Sequence, residues 1–244
     1  MDATQARIVV VGAGQAGATL VARLRALGHR GPLSLIGAEP YAPYQRPPLS
    51  KAYLKGELDR ERLRLRPPSF YETEHIALDL GAPATAIDRA AKEVILSNGA
   101  RLRYDLLALT TGAEPRRLPS AIGGDLAGVY TMRDLADADA LAAAIRPGTR
   151  ALIVGGGYIG LEAAAVLSQV GLATLLVEQA PRILARVAAP ATADYFRDLH
   201  RRHGVEIREE VGLVRLIGGP AVTGAELTDG ARVATDLVLV GIGV

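Results

Sequence analysis

Residues 151–167 read ALIVGGGYIGLEAAAVL, and the rest of the chain is interpreted outward from them. Residues 151–154 are apolar and β-leaning. Gly155, Gly157 and Gly160 then complete G-x-G-x-x-G, and residues 161–167 are rich in the helix formers Ala and Leu. A strand, a glycine turn and a helix in that order form the dinucleotide-binding context, without which the motif carries little information. Gly155 allows the tight turn, Gly157 lets backbone approach a pyrophosphate, and Gly160 lets helix and strand pack closely. The helix start presents unpaired N–H groups to the phosphates. Glu178 ends the next apparent strand, where a carboxylate accepts hydrogen bonds from the hydroxyls of an adenine ribose.

The same signature occurs near the N-terminus. Residues 7–11 form a short apolar strand, Gly12-Ala13-Gly14-Gln15-Ala16-Gly17 repeats the motif, and residues 18–27 show helical spacing with Gly28 as a stop. Residues 33–36 read as the next strand, and Glu39 follows Gly17 at about the 20-residue distance of a ribose-binding acid. Two complete signatures imply two nucleotide cofactors. The natural pair is a tightly held flavin and a diffusible nicotinamide.

Composition limits the remaining choices. The chain has 244 residues, 49% hydrophobic and 22% charged, the balance of a globular protein of one large or two modest domains. No apolar run reaches the roughly 20 residues of a membrane span, and MDATQARIVVVGAG is no signal peptide, so a cytoplasmic protein is expected. A net charge of +2 is too weak to argue for a nucleic-acid partner. The absence of cysteine excludes a redox disulfide or thiolate metal site within these residues. No metal site is expected: His200 and His203 share a helical face beside Arg201 and Arg202, which reads as solvated.

Between the two loops, residues 41–54 read YAPYQRPPLSKAYL, a stiff Pro-rich segment in which Ser50 is placed to cap a helix near Lys51. Arg62, Arg64 and Arg66 would share one face if extended. Short strands are expected at 81–88, 93–96, 101–104 and 106–109, with Asn98-Gly99 a hairpin turn and Thr110-Thr111-Gly112-Ala113 closing the last strand. Further on, helices are expected at 135–145 and 190–203, and strands at 205–208, 211–216, 225–227 and 237–240, with Asp229-Gly230 a second hairpin turn.

The two glycine loops, RPPLSK (46–51), the T-G-A turn (111–113), VGGGYIGLE (154–162) and the terminal GIGV together resemble the FAD-dependent, NADH-using ferredoxin reductases of the putidaredoxin reductase and dioxygenase-reductase type, within the glutathione-reductase-like flavoproteins. The resemblance implies an α/β fold of two Rossmann-like, three-layer ββα dinucleotide-binding domains: residues 1–114 for FAD, residues 115–240 for NADH, and residues 241–244 beginning a return to the FAD domain. Carried over by position, Gly12, Gly14, Ala16, Gly17, Glu39, Arg46, Lys51, Ala84, Gly112 and Arg133 match FAD-contacting residues. Gly155, Gly157, Tyr158, Ile159, Gly160, Glu178 and Gly241 match NADH-contacting ones. Members of that family continue past GIGV to complete the FAD domain, so the chain reads as truncated and its FAD domain as incomplete at the C-terminus. The family usually has Ala-Thr-Gly where this chain has Thr110-Thr111-Gly112.

The resemblance implies electron transfer from NADH through FAD to a small redoxin, a [2Fe-2S] ferredoxin or a rubredoxin, that feeds an oxygenase. Without cysteine the flavin must pass electrons directly to its acceptor. Lys51 and Glu162 are the candidate catalytic residues, expected to form an ion pair beside flavin N5 that favours the reduced, anionic flavin. Glu178 should select NADH over NADPH, with Arg182 and Arg186 close enough in sequence to oppose it. Two alternatives stay open: an FAD/NADH-dependent oxidase or quinone-type reductase, and an NADH-binding fragment without activity.

Overall fold

The computed structural model describes residues 4–244, which divide into two compact units. One comprises the residues up to Gln45 together with Arg60–Ala113; the other comprises Arg46–Asp59 together with Glu114–Val244. The RPPLSK segment therefore groups with the second unit, although in chain order it falls within residues 1–114.

The first unit contains β1 (Ile8–Val11), α1 (Gln15–Ala26), β2 (Leu33–Gly37), α2 (Arg60–Leu63), α3 (Pro68–Thr73), β3 (Ile76–Leu80), β4 (Ala84–Asp88), β5 (Glu93–Leu96), β6 (Arg101–Arg103) and β7 (Leu106–Leu109). Its parallel sheet has the order β3-β2-β1-β7, and β4-β5-β6 forms a separate antiparallel sheet. The two-residue period of a strand divides β1 between two cores. Ile8 and Val10 pack with Val21 of α1 and Tyr71 of α3, whereas Val9 and Val11 pack with Val94 and Leu96 of β5. Both faces of the sheet are covered, which is why the strand reads as continuously apolar.

The second unit contains β8 (Val129–Tyr130), α4 (Leu135–Ala144), β9 (Arg150–Val154), α5 (Tyr158–Gln169), β10 (Ala173–Glu178), α6 (Pro190–Arg202), β11 (Val205–Glu209), β12 (Leu213–Gly218), β13 (Val222–Leu227), β14 (Arg232–Ala234) and β15 (Leu237–Val240). The parallel order is β11-β10-β9-β15-β8, with β12-β13-β14 antiparallel. Leu152 and Val154 join Val238, Val240, Ala225 and Leu227 in one core. Ile153 points the other way, against Gly160 at the start of α5. Each unit is thus a helix layer, a parallel sheet and a three-stranded antiparallel sheet, the three-layer ββα arrangement expected from sequence.

Several local expectations differ. Residues 49–53, LSKAY, form a short helical segment kinked at Lys51, which has non-helical φ and ψ of −130° and −111°, and the Ser50 side chain caps nothing in it. His200 is buried, not solvated: its Nδ1 lies 2.8 Å from the Phe196 carbonyl and its Nε2 3.1 Å from the Leu161 carbonyl. Arg62 lies within α2, while Arg64 lies in a bridge opposite Tyr44 and Arg66 covers the Phe70 ring, so the three do not form one extended face. The strands β3, β8 and β14 have no counterpart in the sequence reading. No helix among the described residues is long and apolar enough to cross a membrane.

Candidate functional site

The two glycine loops are built on the same plan. Gly12 N–H donates to the Ile36 carbonyl (2.8 Å), and Gly155 N–H donates to the Val177 carbonyl (2.9 Å), the equivalent residue of the second unit. Gly12 and Gly155 have φ of +112° and +111°. A Cβ at Gly12 would lie 2.1 Å from the Thr110 carbonyl oxygen, and one at Gly155 would lie 2.4 Å from that of Gly241. Gly17 and Gly160 are the close-packing glycines, their absent Cβ atoms 2.1 and 2.0 Å from the carbonyl oxygens of Gly12 and Gly155. The chain itself therefore demands glycine at these four positions.

Gly14 and Gly157 are different. They are the N-caps of α1 and α5, have ordinary φ of −87° and −82°, and a Cβ on either would meet no atom of the chain within 4 Å. Neither backbone conformation nor internal packing requires glycine there. A ligand lying across the helix start would require it, because a methyl group would occupy the space of a pyrophosphate. The residues present thus fit a dinucleotide at each loop.

In the second unit, β9, β10 and β15 end on a cavity of about 820 Å³ that includes Gly155–Gly157, Tyr158, Glu162, Glu178, Arg186 and Gly241. Tyr158 and Ile159 are exposed on the first turn of α5. Glu178 already uses one lone pair on each oxygen: Oε2 accepts from Gly156 N–H at 2.6 Å and Oε1 from Ala180 N–H at 2.8 Å. Each oxygen keeps one further acceptor position for a hydroxyl. Arg182 is turned onto its own loop, donating to the carbonyls of Ala188 (2.9 Å) and Ala185 (3.3 Å). Of the two arginines after Glu178, only Arg186 lines the cavity. The loop is held from behind by Glu209, whose Oε1 accepts from Ile183 N–H (2.8 Å) and whose Oε2 lies 2.7 Å from Arg197 Nε. Glu209 and then Asp194 hold the Arg197 guanidinium above its ordinary pKa.

The kinked 49–53 segment contributes the cavity's ion pair. Lys51 Nζ lies 2.5 Å from Glu162 Oε2, with Pro47 O at 3.1 Å. Ser50, only 3% exposed, donates its hydroxyl to the same Glu162 oxygen at 2.6 Å. Arg46 donates to the Arg133 carbonyl at 2.7 Å, and Tyr53 donates to Asp139 of α4 at 2.6 Å. The structure thus brings together Arg46, Lys51, Arg133 and Glu162. The role of Ser50 is invisible in sequence, because its acceptor is 112 residues away.

The remaining sequence-predicted residues lie in the first unit. Ala16 is exposed on the first turn of α1, Ala84 opens β4, and Gly112 follows β7 with φ +71°. Glu39 accepts a hydrogen bond from the Tyr44 hydroxyl.

A family model described as pyridine nucleotide-disulphide oxidoreductase matches residues 6–244. The chain belongs to that family. Among curated relatives, a probable ferredoxin reductase of Castellaniella defragrans is 45% identical over 239 residues, covering 98% of this chain and 58% of that protein. Putidaredoxin reductase of Pseudomonas putida is 40% identical, with 97% and 57% covered. The covalent putidaredoxin reductase–putidaredoxin complex contains a chain that matches with a TM-score of 0.94 and 40% identity, covering 98% of this chain and 58% of that one. The chain therefore spans somewhat more than half the length of the relatives it matches. It departs from the family's description in one respect: none of its 244 residues is a cysteine, so these residues supply no redox disulfide.

Proposed function

We propose that the chain is the nucleotide-binding part of an NADH-dependent flavoprotein reductase that delivers electrons to a small iron–sulfur redoxin. The first loop would hold FAD, with Gly12, Gly14, Ala16, Gly17, Glu39, Ala84 and Gly112 around it. The second would hold NADH, with Gly155, Gly157, Tyr158, Ile159, Gly160, Glu178 and Gly241. The observation that carries this reading is the pair of glycines, Gly14 and Gly157, that nothing in the chain itself requires. Relatives named as ferredoxin and rubredoxin reductases support the redoxin as acceptor.

When bound, FAD supplies the chemistry of taking two electrons from a hydride and releasing them singly. The chain's own residues bind and orient. Amides at the start of α5 face the pyrophosphate of NADH. The free lone pairs of Glu178 accept the adenine ribose hydroxyls, and its charge disfavours a 2′-phosphate. Glu162 keeps Oε1 uncommitted on the cavity wall, while Ser50 and Lys51 fix Oε2. Lys51 and Glu162 together present a fixed, nearly neutral dipole to the nicotinamide end of the cavity, and Arg46 and Arg133 add positive charge to the same wall. The FAD contacts of Arg46, Lys51 and Arg133 belong to the same proposal. An oxygenase downstream of the redoxin, and a cytoplasmic location, complete it.

Steady-state NADH oxidation by the purified chain tests the reading, with a [2Fe-2S] ferredoxin, a rubredoxin, dissolved oxygen and a quinone as separate acceptors. Flavin absorbance on the chain and faster turnover with a redoxin than with oxygen or quinone support it. Turnover with oxygen or quinone alone identifies an oxidase or quinone-type reductase instead. NADH binding without flavin identifies a binding fragment.

A further inference from the structure

The loop that follows β10 is docked onto the second glycine turn. Leu184 in this loop is buried and has φ +53°, a conformation that its Cβ disfavours. Hydrogen bonds on either side hold it there. Its own N–H donates to the Gly156 carbonyl at 2.9 Å, and the preceding N–H, of Ile183, donates to Glu209 Oε1 at 2.8 Å. Gly156 is thus bonded at both ends, its carbonyl to Leu184 and its N–H to Glu178 Oε2 at 2.6 Å.

Contact joins the same residues. A Cβ at Gly156 would lie 2.7 Å from Ile183 Cγ2 and 3.1 Å from Glu178 Cβ. Ile183 is fully buried, so it cannot shift without disturbing the packing at Gly156. Glu209 itself is in register with Glu178 on the neighbouring strand β11. Two carboxylates side by side at one end of a sheet repel each other. Arg197 offsets that repulsion: its Nε lies 2.7 Å from Glu209 Oε2, and its Nη1 donates to Asp194 at 2.8 Å. Glu178 lines the cavity, and Glu209 grips the loop from behind it.

We propose that Glu209 is a positioning residue that sharpens the preference for NADH over NADPH. By taking the Ile183 N–H it holds the loop, through Leu184 and Gly156, in the geometry that fixes Glu178. A fixed Glu178 keeps its remaining lone pairs in place for the ribose hydroxyls. One carboxylate touches the ligand, and its neighbour on β11 determines how well the first is aimed. A nucleotide with a 2′-phosphate lacks the 2′-hydroxyl and gains less from that aim. This rests on the assignment of Glu178 to the adenine ribose of NADH.

The test titrates the purified chain calorimetrically with NAD⁺ and with NADP⁺, with a thermal melt of each protein. These ligands carry the adenosine ends of NADH and NADPH and cannot reduce a flavin. Two double variants are compared with wild type. Arg197→Leu/Glu209→Gln removes both charges and keeps a side-chain oxygen for the Ile183 N–H. Arg197→Leu/Glu209→Leu removes both charges and the acceptor. The second should raise the Kd for NAD⁺ about three- to tenfold, the range for weakening one hydrogen bond, and change that for NADP⁺ less than about twofold. The first should keep the ratio of the two Kd values within about twofold of wild type. An unchanged ratio in Arg197→Leu/Glu209→Leu overturns the proposal, including the case in which both ligands weaken equally and the melting temperature falls, which marks general destabilisation. An equal loss of preference in both variants also overturns it, because the effect then belongs to the charges and not to the acceptor. Wild type that binds NAD⁺ no more tightly than NADP⁺ overturns the assignment of Glu178 and this inference with it, and that result is read before any variant is made.

Discussion

Gly14 and Gly157 separate what folding requires from what binding requires. Replacing Gly12 or Gly155 by Ala forces a side chain into a positive-φ position and against a carbonyl oxygen, so either change should unfold its loop. Gly157→Ala has room and an ordinary φ. Its cost as an N-cap and its gain in the unfolded state nearly offset, leaving stability within about 1 kcal/mol of wild type. NADH affinity should nevertheless fall at least about tenfold, because the methyl group meets the phosphates. Calorimetry and NADH titration of the same sample decide it, and a large loss of stability would refute it. At this scale the sequence was legible wherever the constraint is local: the order of glycines follows from turn and packing demands that span six residues. Ser50 was not legible, since a buried serine and a capping serine look alike until the chain brings Glu162 to it. The pair it supports gives a second expectation. Glu162→Gln leaves Lys51 as an uncompensated cation and should weaken cationic NAD⁺ relative to NADH. Lys51→Met leaves Glu162 uncompensated and should do the reverse. Each shift should be about three- to tenfold for charges a few ångströms away in a partly solvated cavity. Equal NAD⁺/NADH affinity ratios in both variants would remove the pair from the nicotinamide end.

Elements were legible in proportion to the strength of their periodicity. The strands and helices flanking each glycine loop are apolar at the expected spacing and occur as read. The strand β3 was missed because IALDL carries an aspartate and only its first residue is fully buried. The two-residue β8 is too short to have a period, and its pairing with β15 comes from chain ends far apart in sequence. His200 was misread because its arginine neighbours argue for water, whereas α6 rolls its ring onto the Leu161 carbonyl of α5. Where elements are joined by charge, pH becomes a probe. Asp236, just before β15, accepts from Arg150 at the start of β9 through Nε, Nη2 and backbone N–H. The Arg150 side chain, then its backbone amide, hold the Asp236 carboxyl below its ordinary pKa. A carboxyl depressed on folding contributes stability above its unfolded pKa and loses it as pH falls through the folded value. The contribution should therefore be intact at neutral pH and disappear below about pH 4. Asp236→Asn should lower the urea midpoint at pH 7 and lower it less at pH 2–3. An equal loss at both values would mean that the linkage is not through this ionisation.

On the scale of the whole chain, the two units repeat one construction on different sequences. Parallel order, antiparallel companion sheet and loop hydrogen bonds correspond, while the side chains bonded to the loops differ: the Thr110 hydroxyl donates to the Gly12 carbonyl in one, and Glu178 accepts from the Gly156 amide in the other. Two binding units in one chain predict ligand effects that are separable. A ligand that binds only the folded state stabilises it by RT ln(1 + [L]/Kd), about 2.7 kcal/mol at one hundred times Kd. Hydrogen exchange resolves where that stabilisation acts. Saturating NADH should slow exchange of residues 151–167 and of the 178–188 loop, and leave residues 8–17 and 106–112 at their free rates. FAD should do the opposite. In Gly157→Ala, the same NADH concentration should lose its protection of 151–167 while FAD keeps its full effect on 8–17. The variant makes the experiment decisive, because a chain that folded and unfolded as one block would spread each ligand's protection over both loops. Protection of both loops by NADH alone, abolished at both by Gly157→Ala, would show that the two glycine loops are energetically one site. Protection confined to one loop per ligand would show that the repeated construction carries two independent ones.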